Sequence, residues 1–183
     1  NWRNVERALA NLKEAGAMSP NRILEIPQDT LAALIRPSGY FNSKAKKLKA
    51  FANVLVEHHN GDLNHLFVQP PWVLRQELLS IYGIGNETAD DIMLYAAGLP
   101  SFVIDSYTVR IMTRLGVISG KPSYHVVQEL FHRNLPSDAS LFNEYHALLD
   151  RHGKERCRRV PTCMECCLLS LCPTGTRSVE RKG

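Results

Sequence analysis

The apolar residues of this chain recur at intervals of three and four, and no segment sustains the alternation of a half-buried strand. That regularity commits the 183 residues to helices. Val5, Ala8, Leu9 and Leu12 form one stripe. Ala45, Leu48, Ala52, Leu55 and Val56 form another, ended by Asn60-Gly61, a pair suited to the left-handed helix stop. Leu74, Leu78 and Leu79 lie on a helix opened by Pro70 and Pro71, where a missing N–H has no helical partner to lose. A further helix is expected from about Thr88 to Ala97, closed by Gly98 and Pro100; others follow the cap candidates Ser106, Ser123 and Asp138. The expected class is all-α with short loops.

With 44% hydrophobic and 22% charged residues the composition is that of an ordinary globular protein. No apolar run is long enough to span a bilayer and no signal peptide opens the chain, so a cytoplasmic protein is the expectation. The net charge of +4 permits a polyanionic partner without demanding one. The basic residues are clustered: Lys44, Lys46, Lys47 and Lys49; Lys154, Arg156, Arg158 and Arg159; Arg177, Arg181 and Lys182. Any one of these reads as a solvated face or as a phosphate contact. Asn1 and Trp2 lead straight into a helical pattern with no start methionine or cap, as expected of a chain whose front is missing.

Between two helices stands Tyr82-Gly83-Ile84-Gly85. A Gly-X-Gly there allows positive φ on either side of a buried Ile84 and leaves bare N–H groups at the next helix start, where the helix dipole favours phosphate. A tight αα turn would need the same residues. Further on, Asp105 is an N-cap candidate.

The run from Tyr82 to Ala89, followed by Val103-Ile104-Asp105-Ser106-Tyr107-Thr108-Val109-Arg110, resembles the helix-hairpin-helix signature of the endonuclease III superfamily of DNA glycosylases. The separation of Glu87 from Asp105 is also the family's. The resemblance implies that Asp105 is the catalytic carboxylate, stabilising positive charge on the sugar as the glycosidic bond breaks and helping to activate a water. It implies that Gly83, Ile84, Gly85 and Thr88 grip the DNA backbone and that the damaged base is flipped out of the duplex. Bifunctional members carry a lysine where Glu87 stands. Glutamate cannot form the imine that lyase chemistry needs, so a monofunctional enzyme is expected; Glu87 also reads as a solvated first-turn acid.

Arg36-Pro37-Ser38-Gly39-Tyr40-Phe41-Asn42-Ser43-Lys44-Ala45-Lys46-Lys47-Leu48 resembles a segment of the bacterial 3-methyladenine glycosylases of this superfamily, which also carry the glutamate. That resemblance implies an alkylated purine as substrate, Tyr40 as a wedge in the duplex gap, and Asn42 and Lys44 as DNA contacts. Asn1-Trp2 is similar to the end of a motif whose aromatic stacks on the extruded base, which makes Trp2 a wall of the base pocket. A loop aromatic for Tyr40 and a core residue for Trp2 are the plainer readings.

All five cysteines fall between Cys157 and Cys172. Confinement to one loop points to a tetrathiolate site in the pattern Cys157-x5-Cys163-x2-Cys166-x5-Cys172, with Cys167 left over. Two Cys-x-x-Cys pairs would favour zinc, and only one is present. The layout resembles the [4Fe–4S] loop of the endonuclease III superfamily, whose first gap is usually one residue longer. The loop is expected to present Arg156, Arg158 and Arg159 to phosphates. The close 3-methyladenine relatives can lack it, so the chain mixes features of two branches.

The resemblance as a whole implies two helical lobes. A helical barrel lobe would occupy 1–100, with the hairpin at about 74–97. A second lobe at 101–183 would hold Asp105 at the interface and the iron–sulfur loop at 157–172. It implies a monomer that acts on double-stranded DNA containing a damaged base, with no membrane partner. A bifunctional glycosylase/lyase acting on oxidised pyrimidines and a non-catalytic DNA-binding module are the alternative readings.

Overall fold

The computed structural model describes residues 2–180, so Asn1, and Arg181 and Lys182 of the third basic cluster, lie outside the described residues. Among the described residues the chain is all-α: eleven α-helices, short 3-10 and π turns, and no strand. It divides into two compact units, Asn1–Gly85 and Asn86–Gly183. The division falls inside the hairpin motif, ahead of the boundary expected near residue 100, and the segment after Gly85 packs with the later helices.

The first unit contains α1 (Trp2–Glu14), α2 (Pro20–Glu25), α3 (Gln28–Leu34), α4 (Phe41–His59), α5 (Leu63–Phe67) and α6 (Pro71–Ser80). The α1 stripe buries Ala8 and Leu12 against Leu31, Ala32, Ile35 and Ala45, while Leu9 stays exposed. Each large side chain buried there contributes about 1.5–3 kcal/mol through the hydrophobic effect. Ser19 caps α2 by accepting the Arg22 N–H, with Pro20 following at the first helical position. The Asn60-Gly61 stop forms as expected: both residues have positive φ, and the Gly61 N–H reaches back to the Leu55 carbonyl at 2.8 Å.

The second unit contains α7 (Asn86–Asp91), a π-helical turn (Ile92–Ala96), α8 (Ser106–Arg114), α9 (Tyr124–Asn134), α10 (Ala139–Glu155) and α11 (Pro173–Glu180). Its core is Phe102, Val103, Ile104, Ile111, Met112, Val127, Phe131, Phe142 and their neighbours, with Phe102 stacked on Phe131 at 3.9 Å between ring centroids. The fully apolar stretch Phe102-Val103-Ile104 is buried, which pins the start of α8. The cap of α8 is Asp105 rather than Ser106, because Ser106 is already the first helical residue. Asp138 caps α10 through the Leu141 N–H, whereas Ser123 stands at the cap position of α9 with no side-chain hydrogen bond. No helix among the described residues is long and apolar enough to cross a membrane.

Candidate active site

Asp105 sits where an extended strand of chain turns into α8 (φ −100, ψ 178), and its Oδ1 accepts the Thr108 N–H at 2.6 Å. The helix therefore holds one carboxylate oxygen by a charge-assisted bond and leaves Oδ2 for other work. The side chain is 12% exposed, buried enough to strengthen electrostatics and open enough to be reached. Around it the second unit gathers further acids. Glu87 is exposed on α7, and partial desolvation with the neighbouring Asp105 charge pushes its carboxyl up. Burial, with Glu87, Asp105 and Asp90 close by, pushes Asp91 up to about 6. Clustered carboxylates disfavour one another's ionisation and make a site that attracts positive charge.

Asp90, adjacent in sequence, has a different task. It is fully buried and accepts from Ser101 Oγ at 2.6 Å, Tyr124 hydroxyl at 2.7 Å and Gln128 Nε2 at 3.0 Å. Those bonds tie α7 to α9 and hold the acidic cluster in place.

Two members of the site were not singled out from the sequence. His146 on α10 points Nε2 at Asp105 Oδ2, 3.9 Å away, and the Tyr95 hydroxyl lies 2.6 Å from its Nδ1. Tyr95 belongs to the π turn, where the Ala97 N–H bonds the Ile92 carbonyl at 3.0 Å. The expected single helix over 88–97 is thus an α-helix followed by an i→i+5 turn, a feature that often marks functional sites. The signal available was weak: a histidine in register with the buried Phe142, Leu149 and Gly153 of α10.

The hairpin differs from its expected form in two respects. Gly83 alone has positive φ (85°), while Gly85 does not, and Ile84 is half-buried rather than buried. Gly83 is nevertheless required, since a Cβ there would lie 2.4 Å from Lys47 Cγ. Thr88 is exposed on α7.

Gly39 (φ 69°) and Tyr40 (φ 48°) hold a left-handed turn that lifts the tyrosine to 90% exposure. Positive φ in a bulky residue is a strained choice, kept where the surroundings impose it. Ser38 Oγ donates to the Ile35 carbonyl, and Lys44 Nζ donates to the Ser38 carbonyl at 2.7 Å, so Lys44 braces this loop. Lys49 likewise donates to the carbonyls of Ile23 and Leu24. The lysine-rich stretch is therefore in part a set of internal ties. Asn42 is exposed at the head of α4. Trp2 is no core residue: it is 68% exposed, with its indole N–H donating to Glu6.

Cys157, Cys163, Cys166 and Cys172 line one cavity whose walls are largely apolar, including Ile111, Leu115 and Leu169. Cys167 is exposed and faces outside it. Two donors serve the sulfurs: Arg114 Nη1 lies 3.2 Å from Cys157 Sγ and Gly175 N 3.3 Å from Cys172 Sγ. Gly175 leaves room there, for a Cβ would come within 3.1 Å of Leu169 and 3.5 Å of Cys172 Sγ. Burial pushes the Cys166 thiol up. Among the described residues no three Cys, His, Asp or Glu side chains are gathered around one point. Arg156 pairs with Glu165, and Arg158 donates to the Lys154 and Glu155 carbonyls at the end of α10.

Comparison with known proteins agrees with this geometry. Residues 1–137 match the family described as HhH-GPD superfamily base excision DNA repair protein. A Methanocaldococcus jannaschii protein assigned as a DNA repair glycosylase is 44% identical over 172 residues, covering 93% of this chain and 78% of its own length. The structure of a non-covalent endonuclease III–DNA complex superposes with a TM-score of 0.76 at 25% identity, over 89% of this chain and 72% of that one. The Helicobacter pylori 3-methyladenine DNA glycosylase bound to 1,N6-ethenoadenine gives 0.71 at 25% identity, over 85% and 79%. The chain belongs to the HhH-GPD superfamily and is an endonuclease III-like base-excision-repair DNA glycosylase.

Proposed function

We propose that the protein is a monofunctional glycosylase that removes alkylated purines from duplex DNA, with Asp105 as the carboxylate at the reacting sugar. The observation that carries this is the half-used Asp105 side chain, one oxygen fixed by the helix and the other open, inside a cluster of acids. Cleavage of an N-glycosidic bond builds positive charge on the sugar, and a fixed anion stabilises that charge without having to reorganise. A ring-alkylated purine is itself cationic and suits the same field. The branch resemblance over 36–48, the glutamate at position 87, and the likeness to a 3-methyladenine glycosylase all favour this substrate class.

Lyase chemistry needs an unprotonated lysine beside the sugar. Glu87 cannot serve. Lys154, close enough to feel the charge of Asp105, is held by Asp150 at 2.6 Å, and that bond pushes its pKa up. It is the opposite of an activated amine.

The hairpin at Gly83-Ile84-Gly85 and Thr88 grips phosphate, while Tyr40, raised on its strained turn with Lys44 as brace, enters the gap left by the flipped base. Asn42 contacts the same strand, and Trp2 lines the base pocket. Cys157, Cys163, Cys166 and Cys172 fit a [4Fe–4S] cluster, with four thiols on one apolar cavity and N–H donors aimed at sulfur. When bound, the cluster would be held by these four thiolates and would cross-link the C-terminal loop. Arg114 then links that loop to α8 through the carbonyls of Arg158 and Arg159.

End-labelled duplexes containing one alkylated adenine, oxidised pyrimidine or uracil test the reading, each reaction being divided and half treated with hot alkali. Cleavage of the alkylated duplex after alkali alone is expected. Breaks without alkali, or action confined to another lesion, would overturn it.

A further inference from the structure

His146 Nε2 is buried and makes no hydrogen bond within the described structure. Leaving such a nitrogen unpaired costs about 1–3 kcal/mol, so its direction needs a reason. It faces Oδ2 of Asp105 at 3.9 Å, beyond hydrogen-bond range by about one ångström. The other ring nitrogen is occupied by the Tyr95 hydroxyl at 2.6 Å. Burial and the charges of Asp91, Asp150 and Asp105 push the Tyr95 phenol up, so it keeps its proton and donates. Nδ1 must then accept, which puts the ring proton on Nε2, toward Asp105. Burial pushes His146 down, outweighing Asp105 and Asp150, which raise it, and acting with Lys154, which lowers it; the shift favours the neutral ring. A neutral donor can approach a carboxylate without cancelling its charge.

We propose that His146, oriented by Tyr95, is a positioning residue for Asp105: its Nε2–H closes onto Oδ2 when a duplex binds and fixes the carboxylate among the like charges of Glu87, Asp91 and Asp150. A carboxylate offers about four lone-pair sites, so Oδ1 on Thr108 and Oδ2 on His146 still leave Oδ2 an acceptor for the sugar or water. The π turn matters because it brings the Tyr95 hydroxyl to the ring. The proposal rests on Asp105 being the carboxylate at the sugar.

The test uses the full chain and whichever lesion duplex it excises fastest, with single-turnover rates measured across pH alongside duplex affinity and melting temperature. The groups facing the pair are Glu87 and Asp91 from α7, Tyr95 from the π turn, and Asp150 and Lys154 from α10. His146→Ala should lower the rate by ~10–100-fold, the scale of a catalytic group misplaced by about an ångström, at unchanged affinity. Its acidic limb should move to higher pH, and still do so in an Asp91→Asn background. His146→Gln, which retains a donor, should recover part of the rate, and Tyr95→Phe should fall between wild type and His146→Ala. If His146→Ala keeps the wild-type rate and limb while Asp105→Asn is inactive, this proposal fails and the reading of Asp105 stands. Equal losses in His146→Ala and His146→Gln that follow melting temperature would reduce His146 to packing and overturn it. An active Asp105→Asn would remove both.

Discussion

Each unit of the molecule sets one histidine beside a carboxylate, and the two pairs are built in opposite ways. In the first, His59 Nε2 and Glu77 Oε1 meet at 2.7 Å, and Gln69 Nε2 donates to the other oxygen at 2.6 Å. Burial alone would raise Glu77, but the bonds from Gln69 and His59 and the histidine charges outweigh it and bring the carboxyl below its ordinary value. In the second, His146 stands 3.9 Å from Asp105, its donor is unpaired, and the surrounding acids are pushed up. A closed pair has used its hydrogen-bonding capacity on the fold. An open pair has kept it, which is what a group must do if it is to act on something else. The difference separates a carboxylate spent on the fold from the one proposed to act at the sugar more sharply than burial does.

Glu77→Ala attacks the closed pair. It leaves the buried His59 and half-buried Gln69 donors unmatched and should cost ~2–3 kcal/mol in denaturant unfolding, with the single-turnover excision rate unchanged. The sign with pH follows from the lowered carboxyl. Its contribution is complete above the unfolded value of 4.5 and is lost as pH falls through the folded value. Glu77→Gln should flatten that part of the acid-unfolding curve.

Gly83→Ala probes the first unit's other specialisation, backbone shape. Positive φ and the approach to Lys47 should together cost ~1–2 kcal/mol and weaken duplex binding. Lys47→Ala in the same background should relieve the contact but not the dihedral, so recovery in unfolding experiments should be partial.

Asp91→Asn sharpens the contrast from the side of the open pair. A carboxyl raised from 3.8 to about 6 is a penalty in the folded state above pH 6, and the penalty disappears below the unfolded value. The variant should gain stability at pH 7.5, by ~1 kcal/mol after allowing for solvent screening of a partly exposed group, and gain none at pH 3.5. Equal melting temperatures at both pH values would contradict the acidic cluster.

What the sequence made legible was local. Asp105 as a cap, the Asn60-Gly61 stop and the crowding of cysteines into 157–172 each depend on neighbours a few residues away. The open pair depends on α10 passing the start of α8, with Asp105 and His146 far apart in the chain, and on a π turn that no apolar period announces. The lysine stretch stayed open in the sequence for a related reason. Charge says that a side chain can reach a phosphate, and does not say that Lys44 and Lys49 also reach carbonyls of their own chain. Gly85 repeated the glycine of position 83 without its dihedral, because only one of the two residues makes the turn.

The most direct measurement places the two carboxylates side by side: single-turnover excision and denaturant unfolding for Asp105→Asn and Glu77→Gln. Asparagine still caps a helix, so Asp105→Asn should melt as wild type while excision falls by ~100-fold or more. Glu77→Gln should lose stability and keep its rate. If Asp105→Asn excises normally, or if both variants lose rate only in step with stability, the distinction between the open and the closed pair is wrong.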